Sequence, residues 1–239
     1  RRYYQHYFPR FAAKAKRIAT VSEFTKKDLA EKYKVPPDKI DVVYNGANED
    51  YVPVDKDTIQ KTRKLYTDGK PYFVFVGTIH PRKNLANQLK AFDRFREQTT
   101  SDVKMLVVGD KKWWTEDIRS AHEGMKFRDE VYFAGRKSTE ELHRIVGSAL
   151  AMTYASFFEG FGIPIVEAFY CGTPVITSNT SSMPEVAGEA ALLVDPFSVD
   201  SIAEAMKTIA MDEKLRKSLI DKGLERKKIF TWQKSADRF

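Results

Sequence analysis

Glu159 and Glu167 flank a turn marked by glycine and proline, Gly160-Phe161-Gly162-Ile163-Pro164. Pro164 suits the first turn of a helix, where its missing N–H costs nothing. Gly172 suits the left-handed residue beyond the helix end, and Pro174 opposes continuation. The spacing therefore predicts a short helix over Pro164–Cys171, fed by the loop Glu159–Ile163. The amides of Phe161, Gly162 and Ile163 would be unpaired at its positive end. That makes an anion site, suited to a phosphate or a sugar hydroxyl oxygen. The two glycines let a ligand approach the backbone closely. Glu167, one turn in, can accept hydrogen bonds from a vicinal diol, and Glu159 stands farther along such a ligand. The same pattern also fits a Glu167 that only complements the helix dipole and a solvated Glu159.

A second stretch, Val76-Gly77-Thr78-Ile79-His80-Pro81-Arg82-Lys83-Asn84, leaves an apolar run and enters a long helical pattern. A strand, a glycine turn and two cations before a helix suit a diphosphate, which the Lys83 ammonium and Arg82 guanidinium would neutralise. Adjacent loop cations that are simply solvated are the alternative. His80 reads as a solvated loop histidine, and Cys171 as a small core hydrophobe. Of Trp113-Trp114, one could line the cleft, with packing as the plainer role.

Positioning these groups requires a frame, and the chain has a regular one. Apolar runs at Tyr72–Val76, Val103–Val108, Val131–Ala134, Leu150–Tyr154, Pro174–Ser178 and Ala191–Val194 alternate with helical patterns. The helical patterns fall at Asn84–Gln98, Thr115–Met125, Ser138–Ser148, Pro164–Cys171, Pro184–Ala187 and Val199–Ala210. Ser138 with Glu141 and Ser182 with Glu185 read as capping boxes. Uninterrupted apolar strands alternating with helices mean an α/β fold, a doubly wound parallel sheet of Rossmann-like type covered on both faces. Ligands of such sheets bind beyond the carboxyl ends of the strands. Gly77–Asn84, Gly109–Thr115, Gly135–Ser138 and Ala155–Ile163 should therefore share one rim. Before them, Tyr3–Lys14 reads as a helix. Arg17–Val21 and Ile40–Tyr44 read as strands around a helix capped by Ser22, and Asp55–Gly69 holds a further helix. Leu215–Ile229 is a basic helix, read as a solvated face with anionic lipid as the other partner it could meet.

Composition narrows the class. The chain has 239 residues, 42% hydrophobic and 31% charged, an ordinary globular mix. No apolar run is long enough for a membrane span, and the N-terminus lacks the pattern of a signal peptide. A single cysteine excludes an internal disulfide and fits a reducing, cytoplasmic setting. The net charge of +7 points to an anionic partner. Nucleic acid ranks last, because no RNP, zinc-finger or basic-zipper pattern occurs. No G-x-G-x-x-G follows a strand, and neither a Walker A run nor a G-x-S-x-G elbow is present. With no H-x-x-x-H or C-x-x-C, no metal site is expected.

Together these residues resemble a family. Glu159-Gly160-Phe161-Gly162-Ile163-Pro164-Ile165-Val166-Glu167 is similar to the E-x7-E signature of retaining, GT-B-fold glycosyltransferases of family 4. Gly172-Thr173-Pro174-Val175-Ile176, Met183-Pro184-Glu185-Val186-Ala187-Gly188 and Ala191-Leu192-Leu193-Val194-Asp195-Pro196 continue the match. Upstream, Val76-Gly77-Thr78 through Leu85 resembles the diphosphate loop of that family. Val21-Ser22-Glu23-Phe24-Thr25 and Val43-Tyr44-Asn45-Gly46 resemble its crossover between domains.

The resemblance implies transfer of a hexose from a nucleotide-diphosphate sugar to a glycan or lipid-linked acceptor. Anomeric configuration would be retained, with no cofactor and no obligatory metal, in polysaccharide biosynthesis. Glu167 would hold the ribose hydroxyls and Glu159 the donor sugar. Lys83 and Arg82 would neutralise the diphosphate, with Gly77 and Thr78 in the same loop. The backbone of Gly160, Phe161, Gly162 and Ile163 would hold sugar and phosphate oxygens, and Gly135 and Arg136 would border the base. Many family members carry arginine where this chain has Thr78, so Arg82 would replace that charge. The G-T-x-x-P-R-K-N loop is similar to those of mannosyl- and rhamnosyltransferases, which makes GDP-mannose the first donor to test. The resemblance divides the chain into a closing segment of an N-terminal acceptor domain (1–48), a Rossmann-like donor domain (49–230) and the start of a C-terminal helix (231–239). It implies the C-terminal half of a GT-B enzyme, able to bind donor but not to turn over alone. The expected location is the cytoplasm, with peripheral contact at the inner face of the membrane. A noncatalytic sugar-nucleotide-binding module is the alternative, and an epimerase or phosphorylase of the same fold is disfavoured.

Overall fold

The computed structural model describes residues 2–48, 50–110 and 114–238, so Trp113 lies outside the described residues. The apolar runs become strands: β1 (Ile18–Thr20), β2 (Ile40–Val42), β3 (Tyr72–Val76), β4 (Lys104–Val108), β5 (Val131–Gly135), β6 (Ala151–Tyr154), β7 (Val175–Ser178) and β8 (Ala191–Val194). Helices alternate with them: α1 (Arg2–Lys14), α2 (Glu23–Tyr33), α3 (Lys56–Thr67), α4 (Leu85–Glu97), α5 (Glu116–Glu123), α6 (Thr139–Gly147), α7 (Ile163–Tyr170), α8 (Met183–Ala187), α9 (Val199–Met211), α10 (Glu213–Arg226) and α11 (Trp232–Ala236). No helix among the described residues is long and apolar enough to cross a membrane.

The main sheet is parallel, six-stranded, and ordered β5-β4-β3-β6-β7-β8. Its continuous apolar runs follow from burial on both faces. Tyr72, Val74 and Val76 of β3 pack with Ile145 of α6 and Ile165 and Phe169 of α7. Phe73 and Phe75, pointing the other way, pack with Leu89, Phe92 and Phe95 of α4 and Met206 of α9. The sheet is thus doubly wound and Rossmann-like, as the alternation of strand and helix requires.

The order of the strands has a consequence for function. From β3 the chain winds outward through β4 and β5, then returns to build β6, β7 and β8 on the other side. The loops leaving β3 and β6 therefore lie at the point where the winding reverses, the place where ligands of such sheets bind. The rim loops bind one another: Gly77 N donates to Val108 O, Ile79 N to Asp110 O, Gly109 N to Gly135 O and Phe157 N to Arg82 O. Gly109 is needed for this contact, since a Cβ there would lie 1.9 Å from the carbonyl oxygen of Gly77.

The N-terminal stretch forms its own two-stranded parallel sheet, β1 beside β2. It is tied to the far end of the chain. The Ser235 hydroxyl donates to Tyr44 O, and Arg238 donates to Val42 O at 3.0 Å. Ser22 caps α2 by accepting from Thr25 N at 3.0 Å. Ser138 and Glu141 form the expected capping box at α6.

The second expected box, Ser182 with Glu185, is not formed. Ser182 has helical backbone angles, φ −80° and ψ −9°, so its side chain cannot turn back onto the helix start. Its hydroxyl instead lies 2.9 Å from the carbonyl oxygens of both Glu159 and Phe161. Glu185 accepts from the first amides of α2, Glu23 N at 2.7 Å and Phe24 N at 3.1 Å. The basic helix expected at Leu215–Ile229 is α10 followed by a 3₁₀ turn at Lys227–Ile229, and it carries exposed ion pairs such as Lys222–Glu189 and Lys228–Glu225.

Candidate functional site

The helix start at the opening of α7 forms because Gly162 adopts φ +112°, a left-handed conformation that side chains resist. Ile163 and Pro164 follow as its first turn. Around it the loop backbone is held by its carbonyls. Ser22 Oγ donates to Gly160 O at 2.7 Å, Thr25 Oγ1 lies 3.1 Å from the same oxygen, and Ser182 holds the carbonyls of Glu159 and Phe161. Glu159 N donates to Ser181 Oγ at 3.1 Å. No backbone acceptor among the described residues takes the amides of Phe161, Gly162 or Ile163. A peptide points its N–H opposite to its C=O, so fastening the carbonyls on one side leaves these donors on the other.

Arg82 and Lys83 reach the same place from the loop after β3. His80 arranges the turn. Extended before Pro81, it accepts a hydrogen bond at Nδ1 from Arg82 N at 3.1 Å, so it is not the merely solvated histidine expected from the sequence. Arg82 binds the Glu159 carboxylate and donates to Phe158 O at 2.7 Å. Lys83 Nζ lies 2.8 Å from Glu159 Oε1, a charge contact in which Oε1 receives no aligned hydrogen bond. The ammonium also donates to the Tyr154 hydroxyl and stands 4.5 Å from the centre of that ring. Gly77 lies beneath it: a Cβ at Gly77 would be 3.4 Å from Lys83 Cε.

Burial sets the charge states. It raises the cost of ionising Glu159, but Lys83 and then Arg82 outweigh it and hold the carboxyl below the usual carboxylate range. Burial lowers the Lys83 ammonium, against the pull of Glu159. Glu167 is different. It is half-buried, has no hydrogen-bond partner among the described residues, and burial alone pushes its carboxyl up. A carboxylate held partly out of water without a donor has unfilled acceptor capacity. Thr78 and Arg136 are exposed on the rim, and Gly135 turns with φ +69°.

The structure thus brings Lys83, Arg82, Glu159, Gly77 and the loop Gly160–Ile163 together at the switch point. Glu167 lies one turn down α7, near enough to Tyr154 for its charge to help raise that phenol. Gly135 and Arg136 stand at the end of β5, two strands away from β3. Trp114 packs edge-on against Phe133 and His122. Cys171 is buried as expected. Sequence reasoning missed Tyr154, which reads as one more apolar strand residue; its place at the last position of β6 was the available signal. It also missed Ser181, Ser182 and Thr25, because their partners are distant in sequence. Among the described residues, no three His, Cys, Asp or Glu side chains come together as a metal cluster.

Known proteins resemble this chain in sequence and in fold. The model of the group 1 glycosyl transferases matches residues 56–226, and that of glycosyltransferase family 4 matches residues 1–51. O-antigen chain mannosyltransferase B of Escherichia coli is 31% identical over 225 residues, which are 92% of this chain and 58% of that protein. MMP alpha-(1->4)-mannosyltransferase of Mycolicibacterium hassiacum is 26% identical over 95% of this chain and 53% of its own length. The chain thus spans little more than half of these relatives. A glycosyltransferase structure from Rickettsia africae superposes with a TM-score of 0.82 at 21% identity, covering 99% of this chain and 64% of that one. Anabaena HepE in complex with UDP and glucose gives 0.79 at 17%, covering 96% and 60%. At such identities the structures speak for the fold, which is that of GT-B glycosyltransferases. With the family model spanning most of the chain and the fold in agreement, the protein belongs to the group 1 glycosyl transferases.

Proposed function

We propose that this chain is the donor-binding part of a retaining glycosyltransferase that takes mannose from a nucleotide-diphosphate sugar, GDP-mannose first, and passes it to a glycan or lipid-linked acceptor. One observation carries the reading: two cations meet Glu159 at the switch point, beside a helix start whose amides find no backbone acceptor among the described residues, with the unpartnered Glu167 carboxylate one turn on. The names of the relatives, O-antigen and MMP mannosyltransferases, support the choice of sugar.

Each group then has a role. Glu167 accepts from the ribose hydroxyls. Gly135 and Arg136 border the base. Lys83, Arg82 and the amides of Phe161–Ile163 take the diphosphate, with Thr78 on the rim beside it. In the free chain Glu159 serves as counter-ion to both cations. Once phosphate oxygens take that place, Glu159 is released to accept from the donor sugar. As the glycosidic bond breaks, negative charge grows on the leaving diphosphate, and fixed cations and amides stabilise it most at that moment. This charge set replaces a metal ion in the proposal. The reading places the protein in the cytoplasm, with the charged α10 free to lie against an anionic membrane.

Calorimetric titration of the chain with GDP, UDP, ADP and dTDP tests it. A Lys83→Ala variant should lose roughly 10–100-fold in affinity for the best of them, the equivalent of one charged hydrogen bond. Unchanged affinity in that variant would remove the diphosphate assignment.

A further inference from the structure

The loop that offers its amides is held from outside the main sheet. Ser22 and Thr25, at the start of α2, hold Gly160 O at 2.7 and 3.1 Å. Glu185, at the start of α8, holds the other side of this joint by accepting from Glu23 N and Phe24 N of the same helix. Ser182, three residues earlier, fastens the carbonyls of Glu159 and Phe161. Behind the loop, the Phe161 ring packs with Tyr44 and Phe230, centroids 6.0 and 5.5 Å away. Tyr44 follows β2, and Phe230 precedes α11.

These contacts join two parts of the chain that different family models match, residues 1–51 and residues 56–226. They also explain a cost. Ser22 is fully buried, and its hydroxyl lies 2.7 Å from a carbonyl oxygen 138 residues away and 2.8 Å from the Thr25 hydroxyl, while its oxygen caps its own helix. Capping alone needs no such partner, because a cap only has to accept. Glu185 likewise stands where a capping box was expected, yet serves another helix.

We propose that Ser22, Thr25 and Glu185 are positioning residues of the donor site: by clamping α2 to the Glu159–Ile163 loop they hold the loop amides toward the switch point. The ligand they serve is a nucleoside diphosphate, which rests on the function proposed above; the clamp itself does not. Two sites joined through one element are linked both ways. A shift of α2 that releases Gly160 O lets the loop peptides rotate and weakens anion binding, and a bound diphosphate draws α2 onto the loop. The piece carrying β1 and β2 therefore reports to the donor site through this clamp rather than through the sheet.

The full chain carries the test, in four variants. Ser22→Ala with Thr25→Val removes both hydroxyls, and Glu185→Gln weakens the anchor. Thr25→Ser keeps a hydroxyl and serves as the conservative variant. Asp55→Ala removes the cap of α3, which takes no part in the clamp, and controls for the stability lost with any cap. GDP affinity is measured by calorimetry, and backbone order of Gly160, Phe161 and Gly162 by nitrogen-15 relaxation without nucleotide. The double variant should bind GDP about tenfold more weakly, and its loop order parameters should fall from about 0.85 toward 0.6. Glu185→Gln should move both readouts the same way, and Thr25→Ser and Asp55→Ala should stay within twofold of the parent. Loop order unchanged in the double variant, or an equal loss in Asp55→Ala, overturns the proposal. If the parent binds none of the nucleotides, the function proposed above fails, and the relaxation data still decide whether α2 holds the loop.

Discussion

Glu167→Gln should weaken nucleotide binding and, in the same molecule, raise the stability of the free chain. The carboxylate is half-buried, has no hydrogen-bond donor among the described residues, and is pushed up by burial. A carboxyl raised in the folded state stabilises fully only below its unfolded value, near about 4.3, and that contribution is lost as pH rises through the folded value. At pH 7 the ionised group is therefore a net cost, which glutamine lifts. Relief of such a site is worth about 0.5–2 kcal/mol, or roughly 2–4 °C per kcal/mol in a domain of this size. The gain should vanish near pH 4, where the native carboxyl is protonated. Binding moves the other way. Two carboxylate oxygens can each accept from one ribose hydroxyl, at about 1.5–3 kcal/mol for a charged hydrogen bond. Glutamine keeps one oxygen, so the loss is about one such bond, or 10–100-fold in Kd. Thermal melts at pH 7 and pH 4, paired with calorimetry, read both effects. A variant that melts lower at pH 7 and binds GDP as before would refute the reasoning.

Two further outcomes follow from packing. Gly109→Ala places a Cβ against the carbonyl of Gly77, so denaturant unfolding should show a loss of about 2–4 kcal/mol, because two backbones must separate. An ordinary surface cost, below about 0.5 kcal/mol, would mean that the β3 and β4 loops do not meet as described. Burial pushes the Cys171 thiol up to about 12, with Glu167 adding to the effect. At pH 8 the folded chain should therefore resist thiol reagents over hours, whereas the denatured chain labels within minutes; fast labelling of the folded chain would contradict the burial.

Much of the fold was legible in local pattern. Tyr72–Val76 and Ala191–Val194 are strands with the limits read from the sequence, because continuous apolar residues between turn formers have few other uses. The start of α7 was legible because Gly162, Pro164 and Gly172 each have a conformational role that depends on neighbours only. The failures share one cause. Ser182 and Glu185 have the spacing of a capping box, but tertiary partners at Glu159, Phe161 and α2 compete for the same atoms and take them. His80 looked solvated until the turn at Pro81 brought the Arg82 amide onto its ring.

By itself, the sequence determined the alternation of strand and helix, the two-sided burial of the sheet, the glycine-bounded helix start and the identity of the charged groups. These follow from side-chain type and from spacing along one chain. The tertiary structure alone decided the strand order that puts β3 beside β6, and with it the meeting of Lys83 and Arg82 with Glu159 across some 76 residues. It also decided which serines hold the loop. Such contacts depend on where distant segments pack, and no local pattern encodes a distance between them.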